Sequence, residues 1–228
     1  SSSSPYGEDC RACWTVPKGY KLVGIDASGL ELRMLAHYLD DEGYTNEILN
    51  GDIHTANQKL AGLESRNQAK TFIYALLYGA GDAKLGSVAG RGRAAGKQLR
   101  QRFFDGLPSF KKLTDRVQRE AKSGFVKALD GRRLTVRSEH AALNTLLQGA
   151  GAIVMKKALI ILDSKLTHLD SKFVANVHDE WQIECHETVA DVVGKLGVES
   201  IIEAGKMLNL NCPLDGDYNV GNNWSETH

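Results

Sequence analysis

The chain is poor in cysteine, has no long apolar run and carries no net charge. Four cysteines in 228 residues are too few for a disulfide scaffold. Cys10 and Cys13 form a CxxC pair, but Cys185 and Cys212 supply no second pair at metal-binding spacing, so the thiols read as unpaired and a zinc module is disfavoured. No apolar run approaches the roughly 20 residues of a membrane span, and the opening SSSSPYGED lacks a secretory pattern. A cytoplasmic setting without membrane contact is the expectation. Its serine run reads as a frayed end or a cut site. There are no internal repeats, and the glycines between residues 79 and 96 are too scattered for a phosphate loop.

Hydrophobic content of 42% and charged content of 25% are those of a soluble globular chain long enough for one large or two small domains. The zero net charge hides an asymmetry. From Arg91 to Arg133 thirteen Lys or Arg face four Asp or Glu, whereas the remainder holds fifteen basic and twenty-four acidic residues. One basic segment on an acidic body suits a phosphate backbone on one face and cations on another; a solvated helical face has the same composition.

Arg66, Lys70, Tyr74 and Tyr78 lie four apart in RNQAKTFIYALLYGAG, residues 66–81. At about 100° per residue they form one slowly turning stripe on a helix, roughly 18 Å long. Cations stand at one end and aromatic rings at the other, the polarity of a nucleoside triphosphate. An ordinary amphipathic helix with solvated cations and core tyrosines shares the spacing. Around it, Tyr20–Ile25 reads as a buried strand ending at Asp26, followed by a helix with Ser28 in N-cap position. Short helices broken by Gly43, Gly51 and Gly62 cover 42–63, with His54 between two of them, and a loose connection follows the stripe. Helices are predicted at about 93–105 and 108–123, the second opened by Pro108, and a hairpin at 125–137 turns on Asp130-Gly131. A helix from about 140 to 166 puts Asn144 and Gln148 on one face. Its Gly149-Ala150-Gly151-Ala152 stretch invites close approach by another backbone. A second hairpin over residues 172–185 carries His178, Asp179 and Glu180 near its tip. A helical region at 187–208 and a strand near 213–220 follow, and residues 1–19 read as irregular.

Asp26 and Asp179 therefore stand at the ends of strands 153 residues apart. Two such carboxylates, with a main-chain carbonyl such as that of Ala27, can hold two Mg²⁺ ions about 4 Å apart. Taken singly, each reads first as a turn or cap residue.

Together the motifs DASGLELR (26–33), RNQAKTFIYALLYGAG (66–81) and VHDE (177–180) resemble the three polymerase motifs of the DNA polymerase I family, family A. PYGEDCR (5–11), GDIH (51–54), LDGRR (129–133), HAALNTLLQGAGA (140–152) and GNNW (221–224) extend the match in the family's order, closest to the phage replicative branch that recruits a host processivity factor. The resemblance implies an α+β right-hand polymerase fold: an antiparallel-sheet palm from 1–50 and 139–228, with all-α fingers inserted at 51–138. It assigns two Mg²⁺ to Asp26, Ala27 and Asp179, with Glu180 in support. Arg66, Lys70 and His54 would grip the triphosphate, Lys70 also protonating the leaving pyrophosphate. Glu31 would exclude a ribose 2′-hydroxyl, Tyr74 would lie against the sugar, and Tyr78 near the template base. His178, Asn144, Gln148 and Arg137 would contact primer-template DNA. Many relatives have Phe where this chain has Tyr74, and Tyr there resembles the variant that accepts dideoxynucleotides.

The family's thumb, exonuclease and primer-duplex segment have no counterpart in these residues. The expectation is a C-terminal portion, or one subunit, of a polymerase whose N-terminal portion lies elsewhere, acting distributively and without proofreading. A single-subunit RNA polymerase shares the two-aspartate logic but lacks a carboxylate matching Glu31. A primer-template-binding module, inactive without its thumb, is the reading from a different class.

Overall fold

A computed structural model describes residues 4–228; residues 1–3 of the serine run lie outside the described residues. In chain order the elements are α1 (Gly7–Ala12), β1 (Tyr20–Ala27), α2 (Leu30–Leu39), α3 (Glu42–Asn50), α4 (Ile53–Ala61), α5 (Arg66–Leu77), α6 (Asp82–Val88), α7 (Arg93–Gly106), α8 (Pro108–Ala121), β2 (Phe125–Lys127), β3 (Arg133–Thr135), α9 (Ala142–Leu166), β4 (Ser171–Val177), β5 (Glu180–His186), α10 (Ala190–Met207) and β6 (Gly216–Gly221). They divide into two compact units, one of residues up to Leu30 with Gly151–His228, the other of Glu31–Ala150.

The first unit is built on an antiparallel sheet of order β4-β5-β1-β6. β1 is central. Leu22, Val23, Gly24 and Ile25 are buried in succession, the continuous apolar pattern of a strand covered on both faces. α10 packs on the sheet, and it can do so closely because Gly194 and Gly197 face Tyr218 and Ile25, where a Cβ would collide. Trp181, Ile183, Val193, Ile201 and Cys185 complete this core.

The second unit is helical. Ala69, Phe72, Ile73, Leu76 and Leu77 form the buried face of α5, and Phe72, Phe103 and Phe110 meet edge-to-face at 5.8 and 5.2 Å between centroids. Pro108 occupies the first turn of α8, as its fixed φ favours. β2 and β3 form the expected hairpin, with Gly131 at φ +86° in its turn.

Several expectations needed correction. Residues 7–12 are helical, not irregular. Gly43 lies inside α3, whose N-cap Asp41 accepts from the Tyr44 N–H and secures the helix start. Residues 82–88 form α6 where a loose connection was expected. The glycines there serve helix contact: a Cβ on Gly96 would strike the Asp82 carbonyl and one on Gly86 the Gly92 carbonyl. The small residues at 149–152 admit side chains, Leu134 against Gly149 and Leu30 against Gly151, not another backbone. Residues Glu139–Leu166 are long and apolar enough to cross a membrane by length and composition alone, yet Leu143, Leu147, Ala150, Val154, Ala158 and Leu162 are buried in the protein at the three- and four-residue spacing of a core helix.

Candidate active site

At one end of the sheet the strand register gathers the acidic residues. Asp26 lies opposite Glu180 on β5 and Asp217 on β6. The Ala27 N–H donates to the Asp179 carbonyl at 3.1 Å, tying the β4–β5 turn to the end of β1. That turn is tight enough to hold His178 at φ +56°. Asp26 and Asp179, far apart in sequence, are thus neighbours. The Asp26 carboxyl is pushed up to about 6, first by loss of water at the packed strand end, then by the negative charges of Asp179 and Glu180. Asp217, which the sequence did not single out, adds to that push, and its carboxylate accepts from the Ser28 hydroxyl at 3.1 Å.

Among the described residues no group of three or more His, Cys, Asp or Glu is arranged to hold a metal ion. The candidate donors are two carboxylates and a carbonyl. Their chemistry fits a hard divalent cation that draws its remaining ligands from water and phosphate, and the crowded negative charge at Asp26 is what such a cation relieves.

Without divalent cations, Asp26 should titrate near pH 6. Its folded pKa lies above the unfolded value, so ionisation opposes folding: stability falls as pH rises from the ordinary carboxylate range through 6. Asp179→Asn should move the midpoint down. Carboxyl-carbon NMR titration checks both; an unmoved midpoint would remove the charge coupling.

Glu180 lies beside the hairpin tip, as expected, but is buried there. It is the first residue of β5 and only 4% exposed. Its Oε1 accepts from Trp224 Nε1 at 2.8 Å and Gln182 Nε2 at 2.5 Å, while Oε2 meets His228 Nδ1. Gln182 in turn accepts from the Thr227 hydroxyl at 2.8 Å. This network docks the C-terminal residues; its members outside VHDE and GNNW carry no local signal.

In the other unit the stripe on α5 is real as far as its last member. Ser65 and Gln68 form a capping box that starts the helix at Arg66, and Tyr78 is its C-cap residue. Arg66 Nε donates to Asp52 Oδ2 at 2.6 Å. Asp52 is the N-cap of α4, accepting also from the His54 N–H at 3.1 Å and the Thr55 hydroxyl at 2.8 Å. These bonds, Arg66 first, hold the Asp52 carboxyl well below the carboxylate range. Asp52, a residue of the GDIH motif with no role assigned from sequence, therefore orients both Arg66 and α4. His54 lies in the first turn of α4, its ring 6.4 Å from that of Tyr74. Burial, then the charges of Arg66 and Lys70, lower its pKa. Lys70 is exposed. The Tyr74 and Tyr78 rings stack at 6.5 Å.

At the far end Glu31 is clamped. The Tyr78 hydroxyl donates to its Oε2 at 3.1 Å and Gln148 Nε2 to its Oε1 at 3.3 Å. Asn144, one turn before Gln148, keeps a buried Oδ1 without a partner. Arg137 is exposed on the segment after β3. The basic excess is partly neutralised where it stands, by pairs of Arg91 with Glu64, Arg100 with Asp82, Lys111 with Asp115 and Arg132 with Asp130.

The fold superposes on the POL domain of Pol1 from M. smegmatis, solved in complex with DNA primer-template and dNTP, with a TM-score of 0.88 and 25% identity over 98% of this chain and 43% of that one. Residues 2–226 match the family model of DNA polymerase family A, and the chain belongs to that family. It is 41% identical to the DNA-directed DNA polymerase of Enterobacteria phage T3 and 42% identical to that of Escherichia phage T7, in each case over 99% of this chain and 37% of the relative. DNA polymerase I of Pseudomonas aeruginosa is 29% identical over 97% of this chain. The chain thus spans little more than a third of the length of its phage relatives.

Proposed function

We propose that this chain carries the nucleotidyl-transfer centre of a DNA-directed DNA polymerase, joining a deoxynucleotide to a primer 3′-hydroxyl with release of pyrophosphate. Residues 1–50 and 139–228 serve as palm, which takes in the whole sheet-bearing unit and the flanking parts of the helical one, and residues 51–138 serve as fingers. The observation that carries the reading is the α5 stripe itself: Arg66, held by Asp52, at one end, and a carboxylate clamped by Tyr78 and Gln148 at the other.

Each residue has a task that its chemistry supports. Arg66 offers a planar set of N–H donors to phosphate oxygens. Lys70 adds a mobile point charge and a proton for the leaving pyrophosphate. Neutral His54 donates one ring N–H. Glu31, fixed from two sides, occupies the space and repels the lone pairs of a ribose 2′-hydroxyl. Asp26, the Ala27 carbonyl and Asp179 would hold two Mg²⁺, which when bound lower the pKa of the primer hydroxyl and neutralise phosphoryl charge. Glu180 anchors the strand beside Asp179. His178, Asn144, Gln148 and Arg137 meet primer-template DNA. An N-terminal portion with thumb and exonuclease, in the same or another chain, and a processivity factor are the proposed partners.

The test is primer extension by this chain with Mg²⁺ and dNTPs, with and without the polypeptide encoded immediately upstream. Template-dependent extension, strengthened by the upstream portion, is expected; binding without incorporation in both arms would defeat the reading.

Tyr74 sets sugar selection. Its hydroxyl can stand in for a missing 3′-hydroxyl, so dideoxynucleotides should be accepted nearly as well as deoxynucleotides. Tyr74→Phe should restore discrimination by about 10- to 100-fold, the worth of one hydrogen bond to a charged partner. Single-nucleotide incorporation kinetics with both substrates read the ratio directly; an equal ratio in both proteins would exclude the hydroxyl.

A further inference from the structure

Four buried polar atoms in the Glu31–Ala150 unit lack a well-formed hydrogen bond beside the cationic end of α5: the Tyr44 hydroxyl, Nδ2 and Oδ1 of Asn57, and Nδ1 of His54. They are not peripheral. Tyr44 is 4% exposed and Asn57 is fully buried. Folded proteins pair nearly all such groups, so a cluster of orphans calls for a function.

The four atoms belong together. His54 and Asn57 are three residues apart on α4 and share a helix face. The Asn57 amide stands beside the Tyr44 hydroxyl, close enough for hydrogen bonding between them to counter part of the upward pressure that burial puts on its pKa. Tyr74, which Tyr44 also feels electrostatically, faces His54. Their capacities can be complementary: the Tyr44 O–H and Asn57 Nδ2–H donate, Asn57 Oδ1 accepts, and His54 Nδ1 accepts in the tautomer that carries the ring proton on Nε2. One internal water, with two hydrogens to give and two lone pairs to fill, matches the set.

We propose that Tyr44 and Asn57, through such a water, are positioning residues that hold His54 in a single tautomer, with Nδ1 an acceptor and the ring proton on Nε2. The consequence lies at the ring's other nitrogen. A neutral imidazole carries one N–H, and the hydrogen bond made by one nitrogen decides what the other offers. With Nδ1 engaged from within, Nε2–H is a donor to an anion; in the opposite tautomer a lone pair would meet the phosphate oxygens. Burial and the charges of Arg66 and Lys70 keep the ring neutral, so this choice matters. The role deepens the triphosphate assignment of His54 above and rests on it.

Long-range proton–nitrogen NMR of the full chain with ¹⁵N-histidine reads the tautomer without any assay of activity. His54 should show pyrrole-like Nε2 and pyridine-like Nδ1 in the native chain. In Tyr44→Phe and Asn57→Leu the Nδ1–H form should appear, and the KM for dATP in primer extension should rise about tenfold, equal to about 1.4 kcal/mol, with kcat changed by less than about twofold. An Nδ1–H ring or an even mixture in the native chain overturns the proposal, as does an unchanged Nε2–H ring in the variants. Should Asn57→Leu fail to fold, Tyr44→Phe decides alone, because it only removes an oxygen. If the tautomer responds as expected but dATP leaves the native His54 resonances unmoved, the positioning role stands and the triphosphate assignment fails.

Discussion

Asp26→Asn and Asp179→Asn should each lower the rate of nucleotide incorporation by on the order of 10³-fold, the scale set by removing one preorganised charge contact to a reacting group. The amide keeps the shape and loses the charge, so primer-template binding should be nearly unaffected. Stability separates this from misfolding. In the native chain the Asp26 carboxyl is pushed up to about 6, first by loss of water at the packed strand end and then by the crowding charges of Asp179, Glu180 and Asp217. Removing its charge relieves that crowding, so Asp26→Asn should melt at a higher temperature than the native chain above pH 6 without divalent cations. A protein more stable, still binding DNA and unable to extend is the expected signature. Single-turnover extension, fluorescence anisotropy with labelled primer-template and thermal melting measure the three properties. Extension at the native rate by either variant would sink the two-metal assignment.

The second large effect is structural. Glu180→Ala should destabilise the sheet-bearing unit by about 3 kcal/mol, the cost of leaving buried donors without their carboxylate. For a chain of this size that is a melting temperature lower by roughly 6–12 °C. Glu180 accepts from Trp224 and Gln182 and meets His228; the truncation strands the Trp224 and Gln182 N–H groups, of which Gln182 is only 1% exposed. The C-terminal residues should then exchange amide protons and suffer proteolysis ahead of global unfolding. Calorimetry combined with hydrogen exchange tests it. An unchanged melting temperature would mean that the network contributes nothing net and that the place of Glu180 in the VHDE turn is its whole significance.

How much of this was legible depends on the range of the forces involved. β1, α5, α8 and the two hairpins were readable because periodicity and turn chemistry act within a few residues. Pro108 and Asp130-Gly131 mark their positions without help from the rest of the chain. α6 was hidden because Gly86 and Gly96 read locally as breakers, whereas their value is the backbone contact they permit between α6 and α7. α1 was hidden for a similar reason, since a six-residue helix has too little periodicity to see. In the site, Asp26, Asp179 and the α5 stripe stood out by residue type and spacing. Asp217 did not: it reaches Asp26 through strand register, and its partner Ser28 lies 189 residues away. Asp52 did not stand out either: its bond to Arg66, 14 residues on, is made only in the fold.

By itself the sequence determined which chemistry the chain could carry: carboxylates at strand ends, a cation-to-aromatic stripe, a carboxylate at Glu31, and motifs enough to point to family A. Those are properties of residue type and short spacing, which need no third dimension. Only the tertiary structure decided how that chemistry is held. It clamped Glu31 between Tyr78 and Gln148, set Arg66 on Asp52, sank Glu180 into a network with the last residues of the chain, and buried Tyr44 and Asn57 in the unit that carries His54. The reason is physical. Which partners meet a given carboxylate, in the buried Glu180 network and at the exposed Asp52 and Glu31 contacts alike, is fixed by strand register and helix contact across the fold.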